Sequence, residues 1–72
     1  MDRDQQAKEA VLNLLRAKQL ALFQPLSMYE IGKPLVPIGF SDHELADAVL
    51  ALADDGVVQI LRDNALQLIA PI

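Results

Sequence analysis

The stretch FSDHELADAVLALADDG, residues 40–56, reads as one helix with both ends marked. Ser41 and Glu44 have the S-x-x-E spacing. At that distance a serine hydroxyl accepts from an orphan amide of the first turn while the glutamate carboxylate reaches back to the cap N–H. Asp42 and Glu44 lie at the positive end of the helix dipole, where an exposed carboxylate adds a few tenths to about 1 kcal/mol. Gly56 supplies the left-handed residue that ends such a helix, which is expected to run from Asp42 to about Asp55. Leu45, Ala48, Val49 and Leu52 recur at i, i+3, i+4 and i+7 and turn inward. The outward face is then His43, Glu44, Asp47, Leu50, Ala51 and Asp54, with three carboxylates and neither lysine nor arginine.

Immediately downstream, VVQIL and ALQLI are separated by Arg62-Asp63-Asn64. A two-residue turn would set Gln59 opposite Leu68 and mix both faces. A three-residue turn, with Asn64 left-handed, gathers Val58, Ile60, Leu66 and Leu68 on one face and sets Gln59 opposite Gln67. The second register is expected because it gives the hairpin one apolar face to bury.

Upstream, residues 3 to 22 have the helical period. Ala7, Val11, Leu14, Leu15 and Leu22 share a narrow arc, with Ala10, Ala17 and Ala21 alongside. Leu12, Leu20 and Phe23 lie off that arc and are expected to pack under the following loop or against the hairpin, the alternative being a second apolar strip used for pairing. Pro25 breaks the pattern, and Ser27-Met28-Tyr29-Glu30 offers another capping box for a short helix from Met28 to about Lys33. Pro34 disfavours helical geometry at Lys33, and Pro37 and Gly39 keep residues 34 to 40 irregular. Tyr29 is expected to be half-buried beneath the loop.

Composition bounds the function classes. The chain of 72 residues is a single domain, residues 1–72, 53% hydrophobic and without cysteine. At this length folding removes only about 60% of the unfolded surface from water. Neither a disulfide nor a thiolate metal site is available, and His43 alone cannot build a zinc site, so association into a homodimer is the remaining source of buried area. The polar start MDRDQQAKEA lacks the layout of an export signal, and no apolar run approaches the roughly 18 residues of a membrane span. A cytoplasmic protein is expected.

Helix, short helix, longer helix and hairpin, in that order, resemble the winged helix-turn-helix family across essentially the whole chain. The likeness is carried by SMYEIGK, by SDHELADAVLALADDG and by the strand that begins at GVVQIL. It implies a mainly α fold with a C-terminal β-hairpin, three helices plus a wing, in which the third helix reads the DNA major groove. Three features depart from the family pattern. The turn KPLVPIGF is long and proline-rich, the wing tip has Arg62 as its only cation, and the charge is misplaced for DNA. Up to Lys33 the chain carries +1 (Arg3, Lys8, Arg16, Lys18 and Lys33 against Asp2, Asp4, Glu9 and Glu30). Beyond it the chain carries −5 (Arg62 against Asp42, Glu44, Asp47, Asp54, Asp55 and Asp63), which together make the net −4.

DNA affinity rests largely on cations that neutralise phosphates and release counterions. The leading expectation is therefore a non-catalytic regulatory or adaptor module working through protein contacts, homodimeric, with His43, Glu44, Asp47, Leu50, Ala51 and Asp54 as the contact face for a protein partner or for another copy of the chain. The alternative is a DNA-binding transcriptional regulator using Arg16, Lys18, Lys33 and Arg62. His43 with Asp47 one turn along offers the outline of a base and its orienting carboxylate. Capping and solvation account for the same residues. Ser27 and Ser41, the only serines, are caps, there is no threonine or cysteine nucleophile, and no glycine-rich phosphate loop is present. No cofactor, metal or small-molecule ligand is expected.

Overall fold

The computed structural model describes residues 3–72. Helix α1 spans Arg3–Ala17 and buries Ala7, Val11 and Leu15. It stops five residues short of the expected end. Gln19 adopts a left-handed φ of 52°, its N–H donates to the Arg16 carbonyl at 3.0 Å, and Leu20 N–H donates to the Leu15 carbonyl at 3.4 Å. This paired closure satisfies the last carbonyls without a glycine, so the helical period continues in the sequence after the chain has turned. Leu22 therefore leaves the core, is 45% exposed, and bridges to Leu68. Phe23, also left-handed at φ 62°, donates to the Leu68 carbonyl at 2.9 Å. Leu12, Leu14 and Leu20 are partly buried against the core.

Strand β1, Leu26–Ser27, is additional to the expected hairpin: Leu26 lies opposite Leu66 and Ser27 opposite Ala65. Helix α2 follows directly as Met28–Leu35. The Ser27 hydroxyl accepts from Tyr29 N–H at 3.2 Å. Glu30 does not complete the expected reciprocal cap, because it turns to Lys18 of the α1 terminus at 3.6 Å. Pro34 sits inside α2 rather than ending it. Its missing N–H costs one intrahelical bond, and burial of Leu35 at 6% exposure carries the helix two residues further than expected. The irregular segment begins at Val36 and closes where Gly39, at φ 115°, donates to Val36 and Phe40 donates back to Leu35.

Helix α3 spans Asp42–Asp54 with both halves of its capping box formed. Glu44 N–H reaches the Ser41 hydroxyl at 3.1 Å, and Ser41 N–H reaches the Glu44 carboxylate at 2.9 Å. At its end Gly56, φ 77°, donates to Ala53 while Val57 donates to Leu52. That is the glycine closure the sequence marks. Strands β2 (Val58–Leu61) and β3 (Ala65–Leu68) pair in the three-residue register, with Gln59 opposite Gln67 and Val58 opposite Leu68. Asn64 is left-handed as expected, and Asp63 is left-handed too. Gln67 donates to Gln59 at 2.8 Å across the pair. Val58, Leu66 and Leu68 are buried, but Ile60 is 47% exposed: it lies on the edge strand β2, whereas Leu66 opposite it lies on the central strand β3.

The sheet order is β1-β3-β2, antiparallel throughout. Leu15, Ile31, Leu52, Leu66, Val11 and Val58 are the largest fully buried side chains, and no polar or charged side chain is buried among the described residues. Three helices with a C-terminal wing, and a short strand entering before α2, make this a winged helix-turn-helix arrangement.

The Gln19 terminus is a direct test of this local reading. A non-glycine residue in the left-handed region costs roughly 1–2 kcal/mol, part of which glycine would lose again to unfolded-chain entropy. Gln19→Gly should stabilise the domain by about 0.5–1 kcal/mol, a rise of several degrees in melting temperature for a chain of this size. A lower melting temperature would show that α1 does not end there.

Candidate binding surface on the third helix

The inner face of α3 is settled by burial: Leu45, Ala48, Val49 and Leu52 are each at most 3% exposed. Its outer residues divide into two groups. His43, Asp47, Leu50 and Asp54 are exposed, Leu50 at 53%, and His43 Nε2 lies 3.6 Å from Asp47 Oδ2. Glu44 and Ala51 are half-buried on the side that faces α1. Ala51 shares a small cleft there with Asp4, Gln5, Lys8 and Asp47.

Arg3, at the start of α1, holds Glu44 in place. Its Nε donates to Glu44 Oε2 at 2.6 Å and its Nη2 to Oε1 at 3.4 Å. The same nitrogen donates to the Gly39 carbonyl, and the guanidinium stacks 4.5 Å from the Phe40 ring centroid. One side chain thus ties α1, the α2–α3 turn and the α3 cap together. Arginine suits this role because its planar fork can bond a carboxylate and a carbonyl while its face lies on an aromatic ring. The hydrogen bond from Arg3, followed by the Ser41 backbone N–H, holds the Glu44 carboxyl below the usual glutamate range; its slight desolvation acts the other way.

The remaining cations are dispersed. Lys8 pairs with Asp55 at 2.5 Å, and Lys18 with Glu30 at 3.6 Å. Arg16 donates to Asn13 on its own helix at 3.3 Å. Lys33 lies on α2 and Arg62 in the wing turn, with no ion pair among the described residues. The four residues of the DNA alternative therefore lie apart, on α1 and the turn after it, on α2 and in the wing turn, and two of them, Arg16 and Lys18, are already engaged. Asp42, Asp54 and Asp63 carry no ion pair among the described residues either.

A second feature becomes visible only once α2 and α3 are packed. Met28, Tyr29, Gly32, Lys33, Val36 and Pro37 face Asp42, Leu45 and Ala46 across an open groove of about 670 Å³, with Asn64 of the wing at its end. Tyr29, expected to be half-buried, is instead 65% exposed among the residues that line it. Small residues at Gly32 and Ala46 are the only trace of the groove in the sequence.

Among the described residues no group of three His, Asp or Glu side chains is placed to hold a metal ion, and no helix is long and apolar enough to cross a membrane. Comparison with protein-family models, with curated proteins and with solved structures finds no match. The likeness to winged-helix domains rests on element order, strand topology and packing.

Because the folded Glu44 pKa is depressed, its contribution to stability is fully present above the pKa of an unfolded glutamate. It is lost as pH falls through the lower folded value. Thermal melts of the parent chain and Glu44→Gln should therefore differ most near neutral pH and converge in acid. A difference that stays constant across the acid range would remove the Arg3–Glu44 contact from the account.

Proposed function

We propose that this chain is a small non-catalytic winged-helix module of the regulatory or adaptor kind, acting through protein contacts in the cytoplasm. The outward face of α3 is its contact surface. His43, Asp47, Leu50 and Asp54 form the exposed centre, and Glu44 and Ala51 form the margin toward α1. One observation carries this reading: the helix that a winged-helix domain normally offers to DNA presents carboxylates and one leucine, with no cation among them. Phosphate binding draws its affinity from cations, and carboxylates read bases only on a protein whose other contacts already hold the duplex. A partner with exposed cations and a small apolar contact for Leu50 suits the face better. The absence of cysteine fits a reducing compartment.

Self-association needs a different surface. Two copies joined α3 to α3 would oppose like charges. Leu22, Phe23, Ile69 and Ile72, all more than a third exposed, lie instead around the C-terminal end of α1 and the end of β3. We place the homodimer contact there, which leaves α3 free for a partner.

Light scattering after size exclusion should give a dimer that Phe23→Asp splits while the circular dichroism of the helices is retained, with Leu50→Asp remaining dimeric. A monomeric parent chain, or a dimer split by Leu50→Asp alone, would overturn the assigned dimer contact. In parallel, anisotropy titration with duplex DNA should show no base-selective binding at physiological ionic strength. Base-selective binding that neutralising Arg16, Lys33 or Arg62 weakens would replace the protein-contact reading with the DNA-binding one.

A further inference from the structure

A smaller hollow lies at the C-terminal end of α1, on the surface where the homodimer contact is placed. Its volume is about 290 Å³; Leu20, Leu22, Leu68 and Ile72 make its walls apolar, and Arg16 is the one charged residue along it. Phe23 is not among the lining residues, although its neighbour Leu22 is. The Phe23 ring therefore stands beside the hollow rather than in it, 63% exposed.

The backbone presents that ring in a strained conformation. Phe23 has a φ of 62°, and a bulky side chain in the left-handed region is an outlier that persists only where its surroundings fix it. Strand β3 does the fixing: Phe23 N–H donates to the Leu68 carbonyl at 2.9 Å, and Leu22 bridges to Leu68. Strain of this kind collects at binding sites, and aromatic rings are enriched among the anchors of protein contacts.

Charge and shape together point to a second copy. Residues 19 to 26, QLALFQPL, and 69 to 72, IAPI, contain no charged side chain, whereas the chain as a whole carries −4. In a two-fold contact each surface meets itself. A charged surface then opposes its own sign, but a neutral one does not. A protrusion and a hollow side by side on one neutral surface are complementary to the same pair rotated by half a turn.

We infer that Phe23 of each copy seats in the hollow of the other, so that each hollow is completed by a residue of the second copy. The Arg16 guanidinium lies against the inserted ring, where a cation and an aromatic face attract. The inference rests on the homodimer contact placed above and names the two reciprocal insertions that make it.

Two variants of the full chain separate the protruding ring from the hollow. Phe23→Ala removes the ring and leaves the hollow open; Gln19→Trp keeps the ring and fills the hollow from a lining position. Each homodimer loses both insertions, and its dissociation constant in sedimentation equilibrium should rise about a hundredfold, roughly tenfold for each anchor removed. A mixture of the two variants restores one insertion, the intact ring of one chain entering the open hollow of the other. The mixed dimer should be only about tenfold weaker than the parent dimer and tighter than either variant homodimer. The chain has no tryptophan of its own, so the fluorescence anisotropy of Gln19→Trp titrated with Phe23→Ala follows the mixed dimer directly. Pro71→Trp, which fills the hollow from an exposed position, should give the same result if Gln19→Trp lowers the melting temperature.

A mixed dimer no tighter than the variant homodimers overturns the reciprocal insertion; the apolar contact region itself stands if Phe23→Asp still splits the parent dimer. A monomeric parent chain, or a dimer that neither Phe23→Ala nor the hollow-filling variants weaken, overturns the insertion and the assigned contact together.

Discussion

Every element of this chain has one apolar face, and a single shared cluster covers them all. Leu15 of α1, Ile31 of α2, Leu52 of α3 and Leu66 of β3 are each at most 1% exposed and belong to that cluster. With no disulfide to restrict the unfolded chain, the burial of these side chains must offset most of the conformational entropy lost on folding. Ala7 and Ala48, both buried small residues, let α1 and α3 approach closely, and α3 is consequently fixed along its inner side. A rigid inner face is what makes the outer face of α3 a defined surface rather than a mobile helix.

Electrostatics is layered on top of that packing. Exposed ion pairs contribute about 0–1 kcal/mol each, so Lys8–Asp55 and Lys18–Glu30 matter less for stability than for which charges they remove from the surface. Three of the six cations are drawn into pairs with acidic residues of other elements. The Arg3 clamp goes further, since it combines a carboxylate, a carbonyl and an aromatic ring on one guanidinium. By anchoring the α3 cap to α1, it sets the orientation of the helix start that bears His43 and Asp47. The same pairing leaves the α3 side with unpaired carboxylates, Asp42 and Asp54, among the described residues, which is why the winged-helix form and the charge distribution point in different directions.

Part of the candidate surface was legible in the sequence. The inner and outer faces of α3 follow from the 3.6-residue period, and the assignment of Leu45, Ala48, Val49 and Leu52 to the core is correct at every position. Glu44 and Ala51 are half-covered rather than open, because α1 crosses on their side, and no local pattern encodes where a distant helix crosses. The α2–α3 groove was not legible. It depends on Pro34 being accommodated inside α2 and on the turn from Val36 to Gly39 setting the approach of the two helices.

What the sequence determined by itself were features whose partners lie a few residues apart or across one short turn. These are the Ser41–Glu44 cap, the Gly56 terminus, the hairpin register with Gln59 opposite Gln67, and the apolar faces of α1 and α3. Such features depend on backbone geometry and side-chain period alone. Tertiary structure decided the rest: the end of α1 at a non-glycine turn, the entry of β1 into the sheet, the exposure of Tyr29 and Ile60, and the choice of Lys18 by Glu30 and of Glu44 by Arg3. In each of these the energy comes from elements far apart in the chain, and it exists only after the shared core has brought them together.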